Sequence, residues 1–439
     1  MLVQPALDIQ SFLDGRRFSA YQWLVFALCF MIVLLDGFDT AAIGYLAPSL
    51  ITEWGIGKPQ LGPVLSAALF GLTCGSLTAG PLADRFGRKR PLSIAVLVFA
   101  MASFGAAHAA DLTQLTVWRF LTGIGLGAAM PNAVTLMSEY CPAQRRATLT
   151  NLMFCGFPLG AALGGFLAAW MIPQWGWRSV LLAGAVAPLL LAGALLLWLP
   201  ESVRFMVARA WPGARIRAVL SRIGDVAADS FVLAEQRPAA EEGAGLGLVL
   251  SRRFRLGTAM LWLTYFMGLV IFYSMVNWMP VLFKEAGLAP REATIVAALF
   301  PLGGVGAVAF GWLMDRYNGD RIIAAGFALT AVAIFAVGQV VGNLGLLVAA
   351  VLVAGTLMNT AQSSLPALAA GFYPTAGRAT GVAWMLGIGR LGGIGGSFLV
   401  AQLTAMHLGF AGILGLLAVP GLLAAGFLLA KSAGRRTHE

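Results

Sequence analysis

Twelve apolar runs follow one another along the chain, at about 23–46, 60–82, 92–108, 113–137, 148–171, 178–199, 257–282, 293–314, 322–340, 344–366, 380–404 and 408–430. Each approaches or exceeds the roughly 20 apolar residues a helix needs to cross a bilayer. Short polar turns separate most of them, and between the ninth and tenth only Gly342 and Asn343 mark the turn. The pattern predicts an all-α membrane protein with 12 transmembrane helices.

One polar interval is much longer. It covers about 200–255, opens with PESVRFMVAR and contains RIRAVLSRIG, which reads as short amphipathic helices for a membrane surface. Residues 225–247 are rich in Ala, Glu and Gly, the composition of a linker. The chain is therefore expected to divide into a six-helix half (1–200), a linker (201–255) and a second six-helix half (256–439). The halves also repeat. GPLADRFGRKR (80–90) matches GWLMDRYNGDR (311–321) at an offset of 231, and YCPAQRRAT (140–148) matches FYPTAGRAT (372–380) at 232. Two matches at nearly one offset imply parallel halves, a transporter plan that places substrate at the midplane between them.

Charge sets the orientation. With both termini in the cytoplasm, the cytoplasmic stretches hold 23 Lys and Arg and the outer loops only Lys58, Arg178, Lys284 and Arg291. Arg119 and Arg390 are left inside spans. The net charge of +10 is thus spread over alternate loops, with no compact basic domain to read nucleic acid. At 59% hydrophobic and 11% charged, the chain is far from the composition of a soluble domain. The four cysteines lie in or beside apolar runs without CxxC spacing and read as small packing residues. Asp8 and Asp14 precede any apolar run, so no cleaved leader is expected. There is no GxxxxGK[ST], which makes any transport secondary rather than ATP-driven, and no HExxH or His pair to suggest catalysis or a metal. No cofactor is expected.

The first run carries two acids, in WLVFALCFMIVLLDGFDTAAIGYL. A carboxylate at mid-bilayer costs about 2.5–3.5 kcal/mol on insertion scales. Asp36 and Asp39, three residues apart, share nearly one helical face. Such residues face polar cavities and carry ions or protons. Counted from the run ends, Asp39 and Arg119 both lie about 10 Å deep and can pair, while Asp36 and Arg390 both lie about 15 Å deep. A carboxylate beside Arg stays ionised, and losing the Arg lets it protonate, which is a proton switch. The alternative is a permanent structural salt bridge.

Several motifs now add up to a resemblance. GPLADRFGRKR resembles the loop between spans 2 and 3 of the major facilitator superfamily, and RFLTGIGLGAAMPNAVTLMSEY, from Arg119 to Tyr140, resembles its span 4. With LDGFD in the first span and GIGRLGG in the eleventh, the chain resembles the aromatic acid:proton symporters of that superfamily over nearly its whole length. GFDT is also similar to the span 1 segment of proton-coupled sugar porters, whose aspartate pairs with the span 4 arginine.

The resemblance implies a monomeric inner-membrane symporter that imports an aromatic carboxylate of the benzoate and hydroxybenzoate class with protons. Asp36, Asp39 and Arg119 would couple protons. Arg390 would hold the substrate carboxylate through its bidentate fork, or lock to Asp36 without touching substrate. Phe38, Tyr45, Tyr273, Asn277, Asn359, Gln362 and Trp384 are candidates for the ring site, with Asn277 and Gln362 able to bond a ring hydroxyl; each could equally be ordinary helix packing. Asp84, Arg85, Gly87, Arg88 and Arg90, their second copy Asp315, Arg316 and Arg321, and Glu139, Arg146 and Arg378 read as gating networks, or as topogenic charge. GFPLGAALGG (156–165) is close to an antiporter motif but has Phe157 before Pro158, which leaves open a proton-driven exporter of drugs or metabolites. A transporter-like receptor for aromatic acids and a sugar or non-aromatic organic-acid importer remain further alternatives.

Overall fold

The computed structural model describes residues 7–226, 228, 230–233, 246–306, 316–373 and 375–436; within these, the side chains of 84, 147, 151, 305, 306, 375–379 and 434–436 are outside the description. Asp315, and the side chains of Asp84 and Arg378, therefore lie outside the described residues.

The helices are α1 (Ile9–Asp14), α2 (Ala20–Trp54), α3 (Lys58–Phe86), α4 (Lys89–Ala107), α5 (Leu112–Tyr140), α6 (Arg146–Phe154), α7 (Gly156–Trp175), α8 (Arg178–Trp198), α9 (Val203–Ala208), α10 (Gly213–Leu220) and α11 (Leu246–Val249). They continue with α12 (Arg255–Glu285), α13 (Pro290–Leu302), α14 (Gly319–Gln339), α15 (Leu344–Phe372), α16 (Thr375–Ala405) and α17 (Phe410–Arg436). Among the described residues, 11 spans are long and apolar enough to cross a membrane. The expected run at 293–314 begins as α13, and part of it falls in 307–315, outside the described residues.

Helices outlast their apolar runs because the ends are held by polar caps. Asp111 accepts from the Gln114 amide at 2.8 Å, Asn343 from Leu346 at 3.1 Å and Asn318 from Arg321 at 3.2 Å. The fifth span is broken at Cys155, between α6 and α7. Pro158 has no N–H for the Phe154 carbonyl one turn back, which opens the helix there.

Two compact units result: one of Met1–Gly37, Phe70–Gly160 and Leu181–Arg237, the other of Phe38–Leu69, Ala161–Val180 and Pro238–Glu439. They do not coincide with the sequence halves. The ends of α2, α3, α7 and α8 belong to the second unit.

In the first unit, α9 and α10 lie against the ends of α2, α5 and α8, with Val203, Met206, Ile216 and Leu220 joining the same core as Leu28, Met137 and Leu195. The expected amphipathic helices thus exist, but their apolar faces are buried in protein. The N-terminal segment joins them: Leu7–Asp8 pairs in parallel with Phe231–Val232. In the second unit, small residues bring helices together. Gly44 on α2 lies so close to α12 that a Cβ would sit 2.5 Å from the Val276 carbonyl oxygen, and a Cβ on Gly62 would press on Ala401 and Phe398 of α16.

Candidate functional site

The division between the units runs through DGFD itself, with Asp36 in one and Asp39 in the other. Both acids are 1% exposed and Arg119 is fully buried; none of the three lacks a partner. In the first unit, glycines set the backbones around them. Gly37 lies against the Phe157 backbone of α7, and Gly71 of α3 against the carbonyl of Phe120, the neighbour of Arg119. Any side chain at either glycine would drive these helices apart.

Counting from helix ends no longer places Asp39 as the sequence did. The helix α2 continues through Pro48 to Trp54, so Asp39 stands about 22 Å of rise from that end rather than about 10 Å. Arg119 remains about 10 Å from the start of α5. The apolar run faded before the helix did, because Glu53 at its tip is held by Trp177 Nε1 and by Arg178, each at 2.6 Å.

The ring-site candidates in the second unit fall into two groups. Some are engaged in packing. Phe38 packs on Gly164, and Tyr45 is buried with its hydroxyl donating to the Ala161 carbonyl at 3.0 Å. Asn359 donates to Phe300 and Gly355 carbonyls at 3.0 and 2.8 Å. Asn277 donates to Ser397 Oγ at 2.9 Å behind the close approach of Gly44. Others gather around GIGRLGGIGG on α16. Gly389 lies under the Tyr265 ring, Gly392 against the Phe266 backbone, Gly393 under the Tyr273 ring and Gly396 against the Val270 backbone. The motif is thus a glycine face that seats α12 closely, with Arg390 half-buried beside it. Gln362 Nε2 on α15 donates to the Tyr265 carbonyl at 3.3 Å. Trp384 is 47% exposed and stacks on Trp262 with ring centroids 6.0 Å apart.

The expected gating residues of the first unit form a network. Arg88 Nε lies 3.7 Å from Glu139 Oε1. Glu201 accepts from the backbone amides of Arg88 at 2.6 Å and Lys89 at 3.2 Å, where an anion meets the N-terminus of α4. Gly87, at φ +91°, must be glycine twice over: the backbone is left-handed, and a Cβ would collide with the Glu201 carboxylate. Arg146 and Arg204 both donate to Gln10 Oε1 at 2.8 Å, which ties α1 to this network. Arg85 lies over the Phe86 ring, while Arg90 is exposed.

The second copy differs. Arg316 and Arg321 are exposed, and Asp320, which replaces Lys89, is buried against Lys431 Nζ at 2.5 Å. Sequence reasoning missed Gln10, Glu201, Tyr265 and Lys431. Glu201 stands in the PESVRF stretch already noted, and the repeat offset leads from Lys89 to Asp320; nothing in the sequence pointed to Tyr265.

The match to the Major Facilitator Superfamily covers residues 29–397. The chain is 51% identical to the 4-hydroxybenzoate transporter PcaK of Pseudomonas putida over 96% of its own length and 95% of that protein. It is 46% identical to a gallate transporter of Pseudomonas putida, over 99% and 97%. In fold it is similar to a D-xylose-proton symporter, with a TM-score of 0.72 at 19% identity, covering 93% of this chain and 97% of that one.

Proposed function

Since the chain belongs to the major facilitator superfamily and, within it, to the aromatic-acid transporters, we propose that it imports an aromatic carboxylate of the hydroxybenzoate class together with protons. The observation that carries the substrate class is the 51% identity to a 4-hydroxybenzoate transporter along almost the whole chain. The proton reading rests on Asp36, Asp39 and Arg119, all buried in an apolar span region where only function repays their cost.

In this reading Asp39 is the carboxylate that takes the coupled proton, which removes its charge within the span. Arg390 receives the substrate carboxylate as a planar two-pronged donor. Asp36 completes the site or takes a second proton. The halves 1–200 and 256–439 rock about the substrate in a bacterial inner membrane, as a monomer, with both termini cytoplasmic. The 23-to-4 distribution of Lys and Arg supports that orientation. The Glu139, Arg88 and Glu201 network supports a cytoplasmic gate made within the first unit.

The test is uptake of labelled 4-hydroxybenzoate by proteoliposomes with an imposed inward proton gradient. Accumulation should follow the gradient and vanish in Asp39→Asn, while exchange persists. Gradient-driven accumulation surviving in Asp39→Asn would remove Asp39 from coupling. Arg390→Lys should weaken binding, because the two-pronged geometry is lost; unchanged affinity would take Arg390 out of the site. A substrate-induced inward positive current would indicate two protons per monoanion, and no current would indicate one.

A further inference from the structure

The ends of α2 and α12 that the orientation above puts outside are repeat copies of each other. Gly44, Pro48 and Glu53 on α2 correspond to Val276, Pro280 and Glu285 on α12 at an offset of 232, the one that relates YCPAQRRAT to FYPTAGRAT. Within the second unit the copies lie face to face. Gly44 rests on the Val276 carbonyl, and Lys284 Nζ donates to Thr52 Oγ1 at 3.1 Å, with the Pro48 carbonyl at 3.5 Å. Thr52 and Lys284 are themselves repeat partners. Matching positions therefore meet, as they do at a two-fold axis.

This contact is built to part. Pro48 and Pro280 both lie inside their helices. Each lacks the N–H that would bond the carbonyl one turn back, at Gly44 and at Val276, so each helix bends there at little cost. Those are the residues at which the two helices touch. Beyond the prolines, the polar bonds are exposed and reach from one sequence half to the other. Lys58 pairs with Glu285, the side chains being 36% and 38% exposed. Glu53, the repeat copy of Glu285, is instead bonded inside its own half, to Trp177 and Arg178. Only four Lys and Arg stand in the outer loops, and three of them, Lys58, Arg178 and Lys284, make these bonds. An exposed pair adds little to the stability of a fold, yet the same small energy moves a balance between two conformations several-fold.

We propose that Lys284 and Glu285 form the latch of an outer gate, bonding to Thr52 and Lys58 when the gate is shut and letting the ends of α2 and α12 part at Pro48 and Pro280 when they release. The inference rests on the rocking of the halves proposed above and adds which side chains hold one side closed. Beneath the latch the closed face is apolar: Gly62 of α3 lies on Ala401 and Phe398 of α16, and Gly165 of α7 on Ala298 of α13. Lys284 and Glu285 are positioning residues, which set how often the gate is open and not what is bound.

The test labels the full-length protein in right-side-out membrane vesicles with a membrane-impermeant maleimide. Ala47→Cys reports on the gate, since Ala47 is fully buried beside Pro48; mass spectrometry of its peptide separates it from the native cysteines. In this background Glu285→Gln and Lys284→Met should each raise the labelling rate at position 47 by about 1.5- to 5-fold, the weight of one exposed pair. Charge exchange, Lys58→Glu with Glu285→Lys, should return the rate to that of the parent. Buried Cys29 is the control and should stay unlabelled throughout. A rate unchanged in either variant removes that residue from the latch, and unchanged rates in both overturn the proposal. A rise matched at Cys29, which reports general loosening, or a charge exchange that labels as fast as Glu285→Gln, overturns it too. The labelling needs no substrate, so failed uptake of 4-hydroxybenzoate leaves it intact. Labelling of position 47 from the cytoplasmic face alone would refute the orientation, while the change in rate would still report on the latch.

Discussion

Removing Lys431 should destabilise the second unit far more than its place near the chain end suggests. Its ammonium lies 2.5 Å from Asp320, with the two side chains 1% and 4% exposed, and 4.9 Å from the Phe372 ring centroid. Breaking a buried ion pair by deleting one partner costs about 3–5 kcal/mol, since the other charge stays buried. Asp320 stands in the first turn of α14, where the helix dipole offsets about 1 kcal/mol for an acid. Lys431→Met keeps the apolar stem and deletes the charge, so the expected loss is about 2–4 kcal/mol. At about 2–4 °C per kcal/mol for a unit of this size, the unfolding midpoint should fall by about 4–16 °C. Asp320→Asn combined with Lys431→Met should recover most of that, because exchanging a buried pair for neutral groups is often close to neutral. The assay is thermal unfolding of detergent-solubilised protein, read by size-exclusion of a fluorescent fusion. A midpoint for Lys431→Met within 2 °C of wild type, or a double variant no better than the single, would refute the reasoning.

Four further outcomes follow. Gly87→Ala should abolish uptake or surface expression, because it adds a left-handed alanine and a collision with Glu201; Glu201→Ala in the same chain should partly restore folding, as measured by expression and size-exclusion profile. Glu285→Gln breaks the exposed Lys58–Glu285 pair and should change stability by no more than about 1 kcal/mol. Gly44→Leu forces α2 away from α12 and should stop transport outright; measurable uptake in Gly44→Leu would show that the close approach is dispensable. Burial pushes the Cys141 thiol up to about 12, with Arg146 pulling weakly the other way. The thiolate then amounts to about one part in ten thousand at pH 8, and labelling needs thiolate. Native protein should leave Cys141 unlabelled by maleimide at pH 8, with labelling appearing only after denaturation; mass spectrometry of the tryptic peptide reads this directly.

Hydropathy alone made the spans legible. Water cannot satisfy backbone groups in lipid, so each apolar run had to become a helix, and the order and number of runs then dictated an all-helical membrane chain. The charges inside those runs stood out for the same reason: Asp36, Asp39, Arg119 and Arg390 are expensive anywhere in a span. Helix ends were less legible, as α2 shows. Its last turns are polar and persist because Glu53 finds Trp177 and Arg178, residues more than 120 positions away. Roles within spans were less legible still. Tyr45 and Asn359 were candidates for a ring site by residue type, yet the Tyr45 hydroxyl and the Asn359 amide nitrogen donate to nearby backbone carbonyls.

The sequence by itself determined the membrane class, the repeat and the residues whose burial demands a reason, because those depend on one-dimensional cost: apolar length and charge within it. Only the tertiary structure decided that GIGRLGG is a glycine face seating α12, that Asp320 is balanced by Lys431 rather than by a neighbour in its own motif, and that the Gln362 amide fills the notch left by Gly268. Each of these depends on which helix lies opposite. A residue's partner across a helix interface is set by packing distances of a few ångströms, and no local pattern along one helix records them.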